Sequence, residues 1–150
     1  MIHYPLTFKV SANAPSGIQN SWITRAPSVG GAGGDSVVMA IPPEFEGPGG
    51  GYSPEDIYAF ALMNCFIATF KVIAEKSKLP FEGLQTSGTL TVDRNESGVP
   101  WMKAFHLRVE LSGAPDVERA KRLLEKTSQS CMILNSVKTE KSFEFVVNGS

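Results

Sequence analysis

The sequence predicts an α+β fold in the order βββ-α-ββ-α-β, and three patterns carry that expectation. Short alternating segments fill the first forty residues. A long apolar run, residues 58–70, follows a strong helix start. Further on, two more alternating segments, an amphipathic stretch and a last alternating segment complete the chain. The elements read as segregated rather than as alternating βαβ units. With 150 residues, 42% of them hydrophobic and 19% charged, a single domain over 1–150 with a real core is expected.

Each element has its own local signal. Leu6–Val10 alternates, a second extended segment covers Gln19–Arg25, and a third, Ser36–Ile41, stops at Pro42-Pro43. Two glycine-rich connections, Gly30–Gly34 and Gly47–Gly51, lack the Gly-Lys-Ser/Thr or GxGxxG frame of a phosphate loop, so each reads as a flexible turn or lid. Ser53-Pro54-Glu55-Asp56 is a helix start: Ser53 can cap, Pro54 suits the first position, and the acidic pair favours the positive end of the dipole. Asp56, three residues after Ser53, makes an approximate capping box. This helix is expected to end near Ser77, ahead of Leu79-Pro80. Its middle is apolar on nearly all faces, so it is the buried central helix that other elements must surround.

A strand over Leu84–Asp93, a turn at Arg94–Gly98 and a strand over Trp101–Leu111 form the next hairpin. Trp101, Phe105, Leu107, Val109 and Leu111 share one face of the latter, while Met102, His106, Arg108 and Glu110 share the other. His106 is therefore an outward strand residue. A second helix starts at Ala114-Pro-Asp-Val117, with Ala120, Leu123 and Leu124 at helical spacing, and weakens at Thr127–Ser130. Ser128 or Ser130 is expected to cap a new short helix from about Cys131, and Ser142–Val147 is the last strand.

Charge and hydropathy exclude several classes. The net charge is −1 with no basic run, so no nucleic-acid partner is expected. The N-terminal residues lack the regions of a signal peptide. The longest uncharged stretch, Ile57–Phe70, has fourteen residues against the roughly 18–20 that span a bilayer. No membrane association and a cytoplasmic location are the expectation, where a disulfide would be transient.

Two cysteines, Cys65 and Cys131, are the only ones, and at 66 residues apart they form neither a CxxC motif nor a zinc knuckle. They are either two inert core residues or a reactive thiol and the partner that captures it after oxidation. A reactive thiol needs a cation or helix N-terminus to stabilise its thiolate. Arg25 is the only arginine before Arg94, and Glu55 is a natural partner to hold its guanidinium. On one straight helix, however, the ten residues between Glu55 and Cys65 span about 15 Å. Either the helix breaks, or one site draws its Glu and Cys from two copies of the chain, which makes a homodimer with composite sites the hypothesis. A metal site from Cys65, Cys131, His3 and His106 has no spacing signature, and no nucleophile elbow marks Ser-His-Asp chemistry. No metal or other cofactor is expected.

The ordered set resembles the OsmC/Ohr proteins, named for osmotically inducible protein C and organic hydroperoxide resistance protein. The most specific part is Gly51-Tyr-Ser-Pro-Glu-Asp-Ile-Tyr-Ala-Phe-Ala-Leu-Met-Asn-Cys-Phe66, which is similar to the family's "Asn-Pro-Glu … Cys-Phe" helix. A second cysteine after an amphipathic helix fits too, as does an upstream arginine before a glycine-rich loop. Two positions depart from the family pattern: Met132 stands where proline usually follows the second cysteine, and Asn64 replaces a small residue.

The resemblance implies an OsmC-like fold, an intertwined homodimer and a thiol peroxidase acting on organic hydroperoxides. By matched position, Cys65 is the peroxidatic cysteine, Cys131 the resolving one, Glu55 the acidic residue and Arg25 the arginine. A cellular dithiol would reduce the resulting disulfide. The alternative of a different class is a non-catalytic protein of the same fold, holding a small apolar ligand.

Overall fold

The computed structural model describes residues 1–26 and 36–149, so the Gly30–Gly34 connection lies outside the described residues. The chain falls into two compact units, Met1–Ile57 and Tyr58–Ser150.

The first unit holds a three-stranded antiparallel sheet, β1 (Ser11–Asn13), β2 (Trp22–Arg25) and β3 (Ser36–Met39), in that spatial order. Leu6–Val10, expected as the first strand, is not one. Leu6, Phe8 and Val10 alternate but stay exposed, Phe8 at 82%, because the described residues offer them no face to cover. The pattern is that of a strand without its sheet. The second strand starts at Trp22 rather than Gln19. Asn20 is spent on a turn instead, its backbone amide donating to Gly17 O (3.1 Å) and its Nδ2 to Ser16 O (2.8 Å). The third ends at Met39, and Pro43 opens a short 3-10 helix, Pro43–Phe45.

The Gly47–Gly51 connection is a hydrogen-bonded turn. The Gly47 and Gly49 amides donate to Pro42 O and Ile41 O, both at 3.0 Å, and a Cβ on Gly47 would lie 2.2 Å from Ile41 O. Glycine there permits a close backbone approach. The turn returns the chain to β3, where Tyr52 N donates to Val38 O (2.9 Å) and Ala40 N to Tyr52 O (3.0 Å). The expected capping box is present: Asp56 N donates to Ser53 Oγ (3.0 Å) and Ser53 N to Asp56 Oδ2 (3.1 Å). From it springs α1 (Pro54–Lys76), unbroken over 23 residues.

The second unit has a sheet in the order β4-β5-β6, with β4 (Gly83–Arg94) antiparallel to β5 (Pro100–Ser112) and β6 (Glu140–Asn148) parallel to β5. A parallel neighbour requires a crossover, and α2 (Val117–Ser130) supplies it. The α+β class and element order stand, but the last three elements form one βαβ unit, which full segregation did not include. Phe105, Leu107, Val109 and Leu111 on β5 pack in one core with Leu62, Phe66, Phe70 and Ala74 of α1 and Ala120 and Leu124 of α2. Phe66 reaches Phe145 and Phe143 of β6, with ring centroids 5.8 and 6.0 Å away.

Trp101 does not share this face. The β4–β5 register slips between Thr91 and Val92, which pair with Ala104 and Met102, so Lys103 is an extra residue. The bulge exchanges the faces, leaving Met102 half-buried and Trp101 exposed. α1 is likewise less enclosed than expected. Its buried residues, Leu62, Phe66, Phe70 and Ala74, recur every four residues as one stripe. Phe60 (41%) and Val72 (52%) remain exposed. By length and composition alone α1 would also cross a bilayer, which the shorter uncharged run did not indicate. Its packed stripe is that of a core helix.

Helix α2 begins at Val117, within the expected Ala114–Val117 start, and Asp116 caps it by accepting from Arg119 N (3.1 Å). The helix does not weaken at Thr127–Ser130. Hydroxyls there bond preceding carbonyls within the helix, Thr127 Oγ1 to Leu123 O (2.7 Å) and Ser130 Oγ to Lys126 O (2.8 Å), rather than capping a new one. The short helix that follows is 3-10, Leu134–Ser136, and has no side-chain cap.

Candidate functional site

Cys65 is placed by the helix stripe next to it. Phe66 anchors α1 in the core, so the preceding residue lies at the stripe's margin, half-buried. Cys131 arrives from the other end of the unit. It is the C-cap of α2, extended at φ −67° and ψ 118°, with its amide donating to Thr127 O (3.0 Å) and no solvent exposure.

The turn beyond Cys131 is tied down by side chains. Asn135 donates its amide (3.0 Å) and its Nδ2 (2.7 Å) to Cys131 O, and the same Nδ2 reaches Gln129 O at 3.0 Å. Lys141 Nζ donates to Leu134 O (2.9 Å) and Val137 O (3.0 Å). Met132, where the resemblance expects proline, points out and is exposed. Hydrogen bonds from Asn135 and Lys141 thus shape a turn that proline does not.

Although 66 residues separate them in sequence, the two cysteines come to one core, Cys131 within it and Cys65 packed against it. Both are free thiols. The Cys131 pKa is pushed up to about 11, first by burial and then by the neighbouring Cys65, against the opposing pull of the Leu134 amide and the Thr69 hydroxyl. Cys131 therefore keeps its proton at neutral pH. Thr69 lies one helical turn beyond Cys65, its Oγ1 3.9 Å from the Cys65 sulfur. Sequence reading missed it, although the i, i+4 spacing from Cys65 was a usable signal.

Arg25 and Glu55 belong to the first unit, the two cysteines to the second. Arg25 ends β2, paired in register with Ser11 and Ser36, and its side chain is exposed. Glu55 lies in the first turn of α1. Among the described residues its Oε1 is buried without a hydrogen-bond partner, a state that ordinarily has a reason. His106 faces outward as expected, its Nδ1 2.8 Å from Ser142 Oγ and its Nε2 3.8 Å from Glu144. Among the described residues no three His, Cys, Asp or Glu side chains are grouped to hold a metal.

Comparison with known proteins gives a consistent result. The family described as OsmC-like protein matches residues 47–146. YmaD of Bacillus subtilis, an uncharacterised protein, is 31% identical over 104 residues, covering 66% of this chain and 69% of YmaD. An OsmC-like protein of unknown function from Vibrio cholerae superposes with a TM-score of 0.79 at 19% identity, covering 95% of this chain and all of the other. The organic hydroperoxide resistance protein OhrB of Bacillus subtilis gives 0.67 at 17% identity, covering 95% and 98%. At such identities the structural matches establish the OsmC-like fold.

Proposed function

The chain belongs to the OsmC-like family, and from that premise we propose that it is a cysteine-based peroxidase that reduces organic hydroperoxides. The observation that carries this reading is the placement of both cysteines at one core: a half-buried free thiol packed against the cluster that holds a buried one. The Cys65 thiolate attacks the distal peroxide oxygen, the O–O bond breaks, and the alcohol leaves with a proton. A sulfenic acid remains on Cys65. Cys131 then displaces its hydroxyl as water, forming the Cys65–Cys131 disulfide, which a cellular dithiol reduces by exchange. Names of fold relatives such as the organic hydroperoxide resistance protein OhrB support the substrate class.

In this reading Arg25, held by Glu55, stabilises the thiolate and the charge that develops as the O–O bond breaks. The unpartnered Glu55 Oε1 supports a guanidinium clamp there. Because α1 is unbroken, Glu55 and Cys65 of one chain are about 15 Å apart along its axis. Composite sites in an intertwined homodimer follow, and the exposed Phe8, Phe60 and Val72 supply apolar surface for it. The protein works in the cytoplasm, where dithiol reductants are available.

The test is consumption of cumene hydroperoxide with dithiothreitol by wild type, Cys65→Ser and Cys131→Ser. Loss of turnover in Cys65→Ser is expected, with Cys131→Ser reacting once and then depending on an external thiol. Unchanged turnover in Cys65→Ser would overturn the mechanism.

A further inference from the structure

Cys131 ends α2 and also begins the turn that follows. Its backbone is extended, and its carbonyl accepts the Asn135 amide, four residues on, at 3.0 Å. A residue standing ahead of a helical turn is held in this way, and Met132 then takes the turn's first position. Ser136 closes the turn, its amide donating to Ile133 O at 3.0 Å and its Oγ to Met132 O at 2.7 Å. A single turn is too short to hold itself, and side chains fasten both ends. Lys141 fastens the far end through Leu134 O and Val137 O. At the near end Asn135 Nδ2 donates to Cys131 O at 2.7 Å and to Gln129 O at 3.0 Å. Gln129 lies in the last turn of α2, where carbonyls run out of helical amides. One side-chain amide thus joins the end of α2, the Cys131 backbone and the next turn. Asn135 is exposed while Cys131 is wholly buried, so it acts on the Cys131 backbone from outside the core.

We propose that Asn135 is the positioning residue of the Cys131 thiol: its side-chain amide fixes the Cys131 backbone, and so the direction of the sulfur, for closure of the disulfide with Cys65. The proposal rests on the peroxidase reading for the reaction in which closure occurs. In that step the Cys131 sulfur bonds to the Cys65 sulfur and the S–O bond of the sulfenic acid breaks. The departing hydroxide takes the proton that Cys131 gives up and leaves as water, so no further oxidant is needed. Holding one reacting group in place raises its effective concentration at the other, and releasing the Cys131 carbonyl forfeits that gain.

The experiment compares disulfide closure in wild type, Asn135→Ala and Asn135→Asp, which keeps the shape and loses the donor, by acid quench, alkylation and mass measurement. One arm is triggered by one equivalent of cumene hydroperoxide, whose loss is followed separately. The other uses diamide, which takes two electrons and two protons from a thiol pair without peroxidase chemistry. Both variants are expected to slow closure about tenfold in both arms, the order of effect of two lost hydrogen bonds. Hydroperoxide loss in the first turnover stays at the wild-type rate, a split that general destabilisation would not produce. Proline suits the first position of a turn and an extended residue before it, so Met132→Pro added to Asn135→Ala restores closure. Wild-type closure in a folded Asn135→Ala or Asn135→Asp protein overturns the proposal, as does a slowed Asn135→Ala that Met132→Pro leaves slow. Wild-type thiols that diamide does not join also overturn it, since Asn135 then has no pair to align. If hydroperoxide leaves the wild-type thiols intact while diamide closes them in an Asn135-dependent way, the peroxidase reading falls and the role of Asn135 stands.

Discussion

The two units treat their apolar residues in opposite ways. In Tyr58–Ser150 every core position of β5 from Phe105 to Leu111 is buried, and α1 and α2 bring matching stripes to it. Among the described residues of Met1–Ile57 the buried apolar ones are Met39 and Ala40, while Leu6, Phe8, Val10, Ile23, Val37 and Val38 are exposed. The second unit satisfies its own hydrophobic pattern and carries both cysteines. Among its described residues the first has strand-like patterning without a core of its own, which the proposed homodimer would supply. Stability and the thiol pair therefore reside in one unit, and most of the exposed strand-like apolar residues in the other.

The largest test of that contrast is in the core. Phe66→Ala is expected to cost about 3–5 kcal/mol, because a wholly buried ring against Phe143 and Phe145 leaves a cavity. Urea titration checks it, and a change under 1 kcal/mol would mean that the second unit is not tightly packed.

A smaller effect concerns pH. With the Cys131 pKa raised to about 11 in the folded state, the unfolded chain binds fewer protons above the ordinary thiol range. Stability from this group is complete below pH 8 and is lost as pH climbs towards 11, by about 2 kcal/mol. Urea midpoints between pH 8 and 11 should fall for wild type and fall less for Cys131→Ala. Equal slopes would place Cys131 in contact with water.

The smallest effect on stability is predicted for the first unit. Phe8→Ala should change the unfolding free energy by less than about 0.5 kcal/mol, since the ring is exposed within its own chain. It should nevertheless weaken self-association measured by sedimentation. An unchanged association state would remove Phe8 from the interface.

Legibility in the sequence followed the range of the interactions. The α1 cap was readable at Ser53 and Asp56 because both partners lie within one turn. The buried face of β5 was readable from Phe105 to Leu111, where alternation is regular. It failed at Trp101, because the bulge at Lys103 depends on how β4 pairs. Leu6–Val10 misled in the opposite direction: alternation marks a residue suited to a sheet, while a strand also needs a neighbour. The parallel pairing of β6 was hidden for the same reason. Of the site, Cys65 and Cys131 could be named as candidates, but only tertiary structure brings together sulfurs 66 residues apart. Thr69 became visible only with the helix in place, beside the Cys65 sulfur.

The most direct test of the central claim is peptide mapping after one equivalent of cumene hydroperoxide is added to the reduced protein. The account predicts loss of both thiols together, a single Cys65–Cys131 disulfide and one equivalent of alcohol. Two intact thiols with the hydroperoxide unconsumed would contradict it.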